Sequence, residues 1–301
     1  MNTVMDFIKY YEDEYVDHTV YFKLASYEKR SERKEVLTKL AQQEKAHMEF
    51  WAKQLKGKIY LRSSLKLKIY FIVLLRYLFG LTFAIKFLER NEKKVISEYK
   101  KALNVFDGTN KQELEEIIKD EIEHESYWIS QIKENSVTYI GFIVLGLADA
   151  IVEITGVHAG FLGVTTSTVV AGIAGLVVGV SASIAMAAAA YLQAKQGEIG
   201  NPRISAIYTG ISYILAAAAL ATPYFLTHIM WVAFLASLLV ALSLLAYFNF
   251  YSAVLSEREF SRDYLVNSAL VLVTAFISFF FGEFLGQYFG IAGLFHALLL
   301  W

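Results

Sequence analysis

Polar and apolar positions divide this chain into two parts. Up to about residue 137, charged and hydrophobic residues are mixed throughout. That part reads as four helices over roughly 3–30, 32–56, 64–105 and 110–135, with Asp107-Gly108-Thr109-Asn110 as the turn before the fourth. Beyond it the pattern becomes nearly continuous apolar sequence. Five segments stand out, at 138–160, 164–192, 205–226, 229–253 and 264–289. Each is close to the ~20 residues a helix needs to cross a bilayer. The expected fold is therefore all-α: a four-helix bundle over 1–137 followed by a five-helix transmembrane domain over 138–301.

One stretch resists this division. Ile69–Ile85 (IYFIVLLRYLFGLTFAI) is apolar enough for a sixth membrane helix. However, Arg76 sits near its middle, and Lys66, Lys68 and Lys86 flank it. An amphipathic helix at the membrane surface, continuous with the third helix of the bundle, is the preferred reading. A spanning helix would separate Glu89 and Glu92 from the motif at 44–47 described below.

Charge sharpens the picture. The net charge is -1, yet residues 1–137 hold 24 of the 28 Lys and Arg and 22 of the 29 Asp and Glu. The second part retains only Lys195, Arg203, Arg258 and Arg262 as basic residues. All four fall in two of the four connections between apolar segments. The positive-inside rule then places 193–204 and 254–263 in the cytoplasm, with the N-terminal part on the same side and the C-terminus outside. The N-terminus turns acidic before an apolar run forms, so no signal peptide is expected and the cytoplasmic membrane is the predicted location. The balanced first part lacks the basic footprint of a nucleic-acid binder. With no cysteine, disulfide scaffolds, thiolate zinc sites and cysteine nucleophiles are excluded.

Small residues recur four apart in the first two apolar segments: Gly156-xxx-Gly160, and Gly175-xxx-Gly179-xxx-Ser183-xxx-Ala187. Such spacing lets helices approach closely. Ordinary packing is the preferred use.

The first part carries a metal-ligand pattern. Glu44-x-x-His47 and Glu121-x-x-His124 each put a carboxylate and an imidazole on one helix face. They fall on the second and fourth predicted helices. A carboxylate-bridged metal pair in a four-helix bundle also needs a Glu from each of the other two helices. The first offers Glu12, Glu14 and Glu28; the third offers Glu89 and Glu92. Carboxylates and imidazoles without sulfur suit Fe(II) or Mn(II).

These motifs, with Tyr21-Phe-Lys-Leu-Ala25 and Leu37…Leu40-Ala41 at their spacing, resemble the rubrerythrin/erythrin branch of the ferritin-like superfamily over residues 6–135. The resemblance implies a ferritin-like bundle holding a di-iron centre. It favours Glu14 as the first-helix ligand and implies two irons bridged by Glu44 and Glu121. Glu89 and Glu92 would be alternative or additional ligands. The cysteines of a rubredoxin-type module are missing, which separates this chain from full rubrerythrins.

The membrane part carries its own ionisable residues. Asp149 and Glu153 lie four apart on the first apolar segment, and buried carboxylates in a membrane helix are costly unless they serve a function. Met186 offers a thioether on the second; Glu283 lies in the fifth. The pattern Gly146-Leu-Ala-Asp149-Ala-Ile-Val-Glu153-Ile-Thr-Gly156 resembles the first membrane helix of the vacuolar iron transporter family. So do Met186 with Tyr191-Leu192, Pro223-Tyr224, and Tyr251-Ser252 with Phe260. That resemblance implies an ion path at a homodimer interface, lined by Asp149 and Met186, exchanging Fe(II) and often Mn(II) for protons. Ala190 departs from it, since the family has a glutamate there. Together the halves resemble prokaryotic membrane-bound ferritin fusions. The expectation is a proton-coupled exporter with a cytoplasmic iron-capturing domain. The rival expectation is a membrane-anchored di-iron ferroxidase or peroxide-scavenging oxidase.

Overall fold

The computed structural model describes residues 3–55, 60–124, 139–198, 200–256 and 258–291. Among the described residues the chain is helical, with no strand. It divides into two compact units, Met1–Glu134 and Asn135–Trp301.

The first unit contains α1 (Thr3–Tyr27), α2 (Ser31–Gln54), α3 (Ser63–Phe79), α4 (Leu81–Leu88), α5 (Glu92–Ala102) and α6 (Gly108–Glu123). Its apolar residues form two separate clusters. One joins Val16, Val20 and Leu24 of α1 to Leu37 and Leu40 of α2 and to Leu65, Ile69 and Ile72 of α3. The other joins Phe7 and Tyr10 of α1 to Phe50 and Trp51 of α2, Ile96 and Tyr99 of α5, and Leu114 and Ile117 of α6. Along each helix the candidate ligands sit beside or between these apolar groups. On α1, Glu14 falls between the two apolar groups; on α2, Glu44 and His47 do; on α6, Glu121 follows the apolar group. A polar layer is thus set between two apolar ones.

The third helix is not continuous, contrary to the expected span of 64–105. Gly80 has φ +92°, which a residue with a side chain rarely adopts, and it separates α3 from α4. A short 3-10 turn at Glu89–Asn91 then separates α4 from α5. The apolar stretch 69–85 is therefore no single run of helix. Leu65, Ile69, Ile72 and Leu75 of α3 are buried, whereas Leu67, Tyr70, Leu74 and Tyr77 are exposed. With one face committed to the core of the first unit, α3 is amphipathic within that unit and does not stand apart as a sixth span. α1 also ends earlier than expected, at Tyr27. The fourth helix is described only as far as His124, so its predicted reach to 135 lies outside the described residues. So does the tail from 292 to 301.

The second unit contains α7 (Ile140–Val164), α8 (Thr168–Gly197), α9 (Pro202–Leu226), α10 (Met230–Ser256) and α11 (Phe260–Tyr288). All five are long and apolar enough to cross a membrane. Much of their apolar surface stays uncovered within the unit. On α11, Leu265, Val266, Leu270, Val273, Phe276, Ile277, Phe280 and Phe284 are all exposed. Water would not tolerate such a surface, whereas lipid does. The second unit thus carries five candidate membrane-spanning helices, which suggest a membrane protein.

Contacts fix its topology. Gly156 packs against Thr274 and Ser278, and Gly163 against Gly282 and Glu283, so α7 and α11 run parallel. His158 meets Gly175, and Ile154 meets Gly179, so α8 runs antiparallel to α7. The Tyr139 hydroxyl accepts from the Asn201 amide at 3.0 Å, which brings the start of α7 and the α8–α9 connection to one end. Lys195, Arg203, Arg258 and Arg262 consequently gather at the end where α7 begins. The small residues are consumed within the unit: Gly179 packs on Ala217, and Gly210 on Ala187.

Among the described glycines, Gly282 leaves the least room for a side chain, because Gly160 lies against it. A Cβ on Gly282 would collide with the Gly160 carbonyl, which has no flexible side chain to move aside. Gly282→Ala is therefore expected to cost about 1–3 kcal/mol, the usual range for overpacking. A fall in the melting temperature of the purified protein in detergent checks this, with Gly141→Ala as the neutral control because nothing lies within 4 Å of its added Cβ.

Candidate metal centre

Glu14, Glu44, His47 and Glu121 converge in the polar layer, with ligand atoms all within 4.8 Å of one another. All four side chains are buried. His124 completes the group from the end of α6 and is 1 % exposed. The buried set can hold a metal ion.

The carboxylates are shared between the imidazoles. Glu121 places Oε1 2.9 Å from His47 Nδ1 and Oε2 3.4 Å from His124 Nδ1. Glu44 places Oε2 3.3 Å from His47 Nδ1 and Oε1 3.0 Å from His124 Nδ1. Each carboxylate therefore gives one oxygen to each histidine. The two rings lie 5.9 Å apart and nearly parallel. Glu14 approaches on the His47 side, with Oε2 3.7 Å from Nδ1. Despite these distances, neither His47 Nδ1 nor either nitrogen of His124 has a well-formed hydrogen bond among the described residues. Ring nitrogens and carboxylate oxygens crowd one buried space at 2.9 to 3.7 Å without pairing in well-formed hydrogen bonds. Buried polar atoms left this way need a further partner, and a cation is the partner that this donor set fits.

A second layer holds the first in place. His47 Nε2 lies 3.4 Å from Asp120 Oδ2, which leaves Nδ1 free to act as a ligand. The Tyr99 hydroxyl donates to Glu14, beneath a cluster formed by Tyr10 and Trp51. The Tyr21 hydroxyl donates to Glu89. Glu92 lies close enough to Glu121 to feel its charge.

The sequence candidates are thus placed unequally. Glu14, Glu44, His47, Glu121 and His124 come together, and Glu92 touches them through Glu121. Glu89 falls outside the tight group. Of the two other first-helix glutamates, Glu12 is engaged by Arg62 and Glu28 by Arg76 at 3.3 Å. His18 sits 2.7 Å from the Ala41 carbonyl and joins α1 to α2. Asp120, Tyr99 and Asp17 were not singled out from sequence. Asp120 is adjacent to Glu121, and Tyr99 lies seven residues after Glu92 on one helix face, so spacing alone held the signal for both.

Protons occupy the charge positions in the metal-free protein. Burial pushes the Glu14 carboxyl up, and the nearby Glu121 pushes it further. Burial raises Glu92 likewise. Burial opposes charge on Glu44 and Glu121, but the two histidines hold both below the usual carboxylate range. Burial also opposes charge on His47, yet Glu121 and its other acceptors raise it well above an ordinary histidine. His124 is pushed up to about 10 against the same burial by Glu121 and Glu44. Both imidazoles are consequently protonated at neutral pH without metal, and a metal must displace those protons. Affinity should rise with pH, with log affinity climbing by at least about two per pH unit between roughly pH 5.5 and 7.5. Calorimetry with Mn(II) or Co(II) in buffers of different ionisation enthalpy would count the released protons. An affinity independent of pH would contradict the assignment.

In the second unit, Asp149 and Glu153 occupy one face of α7, near its middle. Asp149 is half-buried and Glu153 exposed within the chain. The Tyr213 hydroxyl of α9 donates to Glu153 at 2.5 Å. Tyr213 is itself fully buried, so it fixes the position of that carboxylate. Met186 is half-buried against the cluster containing Ala150, Ile154 and Tyr213. Ala190 is fully buried with Tyr139, Phe142 and Ala194. Glu283 is 9 % exposed and accepts from Gln287 at 3.0 Å.

Compared with protein-family models, with curated proteins and with solved structures, the chain finds no match.

Proposed function

We propose that this chain is a homodimeric exporter of Fe(II) from the cytoplasm, exchanging it for protons, with Mn(II) as its second substrate. The observation that carries this reading is the carboxylate pair Asp149 and Glu153 at mid-helix in the membrane module. A membrane helix retains two carboxylates on one face only where protons or cations neutralise them. Tyr213 orients Glu153, and Met186 packs on the same cluster. The face is open within one chain, and a second copy of α7 would cover it. Gathering of the four basic residues at the end where α7 begins supports a cytoplasmic first unit.

The first unit is read as a ferritin-like domain that captures cytosolic iron. Glu44 and Glu121, each reaching both His47 and His124, would hold the iron, with Glu14 as a further ligand and Glu92 in reserve. Bound iron would supply electron-transfer chemistry toward O2 or peroxide. The protein's own part is to hold the ligands: Asp120 orients His47, and Tyr99 holds Glu14.

Reconstituted vesicles test the proposal. Fe(II) and Mn(II) should enter when an imposed pH gradient drives the exchange. Absence of flux, with Fe(II)-dependent O2 or peroxide consumption that vanishes in the Glu44→Ala/Glu121→Ala variant, would establish a membrane-anchored oxidase instead.

A further inference from the structure

The metal centre lies between two apolar layers, and an ion must reach it from the side. A cavity of about 210 Å³ opens on the flank of the first unit, between α1 and the α4–α5 junction. At ~30 Å³ per water it holds about seven waters, enough for a divalent ion with most of its first water shell. Asp17 and Glu92 line it. Both belong to the surroundings of the centre. Asp17 is one turn beyond Glu14 on α1 and lies close enough to Glu44 and Glu14 to interact with both charges. Glu92 reaches Glu121, and its Oε1 is buried with no hydrogen-bond partner among the described residues. At the rim, ion pairs absorb other charges: Lys9 with Glu98 at 2.6 Å, and Lys68 with Asp13 at 3.8 Å. Lys94 also borders the cavity.

We infer that this cavity is the route by which a divalent cation reaches the buried centre, with Asp17 as the carboxylate that receives the hydrated ion and passes it to Glu14 and Glu92. The inference rests on the metal-centre reading above. Asp17 is a positioning residue here, since it acts on the ion before the ligands do. A group on the path lowers the barrier in both directions. Removing it slows arrival and departure together and leaves the equilibrium nearly unchanged, whereas removing a ligand speeds departure and weakens binding.

Stopped-flow mixing of Co(II) with the full-length protein in detergent tests this, read by visible Co(II) absorption, with equilibrium titration beside it. Asp17→Asn should slow association about tenfold while the dissociation constant moves by less than about threefold. Asn91→Trp, at an exposed position lining the same cavity, should slow association by blocking it. Lys94→Glu should speed association about threefold, with the gain fading at high salt. Association unchanged in all three variants would overturn the route. So would an Asp17→Asn variant that weakens binding tenfold with association intact, because Asp17 would then be a ligand. If the wild-type protein binds no Co(II), the metal-centre reading itself fails and the route falls with it, a result distinct from binding at rates the variants do not alter.

Discussion

Alanine at both Glu44 and Glu121 is expected to eliminate tight metal binding by the first unit. These two carboxylates are the only groups described here that face both imidazoles, at 2.9 to 3.4 Å. Without them His47 and His124 lose their shared acceptors, and any ion would be held by isolated ligands. The loss should exceed the ~10–100-fold typical for removing an outer partner of a ligand. The fold should survive. Without the two carboxylates that hold their protons, His47 and His124 become neutral, so no buried charge is stranded, and the apolar clusters on either side remain intact. Metal analysis of the purified variant, with far-UV circular dichroism as the folding control, reads both outcomes. A full complement of metal in the double variant would place the site elsewhere.

The second large effect concerns the membrane module. Asp149→Ala should reduce Fe(II) and Mn(II) flux to the background of empty vesicles, while leaving the metal content of the first unit unchanged. A divalent ion crossing the hydrocarbon region without an anionic partner faces a prohibitive solvation cost. Glu153 alone would not replace Asp149, because Tyr213 already holds it by a hydrogen bond. Asp149→Asn separates charge from volume: it keeps the shape, lacks the exchangeable proton, and should be equally inactive. Flux retained by Asp149→Asn would remove the carboxylate from the path.

Much of this arrangement was legible in the sequence because the relevant spacings are short. Glu-x-x-His pairs need only helix geometry, and Asp149 with Glu153 only one helical turn. The five apolar helices followed from length and composition, their ends shifting by a few residues. The break in the third helix was not legible. Gly80 sits inside an apolar run, where a glycine is common, and only its positive φ turns the chain. The 3-10 turn at Glu89–Asn91 is a second break, and it takes Glu89 and Glu92 off one continuous α-helical face. Glu92 consequently reaches Glu121 while Glu89 is taken by Tyr21, a distinction that their equal status in the sequence concealed. The outer partners Asp120 and Tyr99 were hidden for a different reason. A hydrogen bond from a neighbouring helix depends on how helices pack, which no periodicity within one helix specifies. Tyr213 was missed in the same way, since a tyrosine in an apolar helix reads as packing until a carboxylate is found against it.

The central claim is that metal crosses the membrane module in exchange for protons. The most direct measurement is the pH inside sealed vesicles containing the reconstituted protein, followed with a trapped dye while Fe(II) or Mn(II) is added outside without any other ion gradient. The account predicts that metal uptake alkalinises the lumen as protons leave, and that the signal is absent with Asp149→Ala. Metal uptake without a pH change would contradict proton exchange, and the absence of uptake altogether would contradict transport.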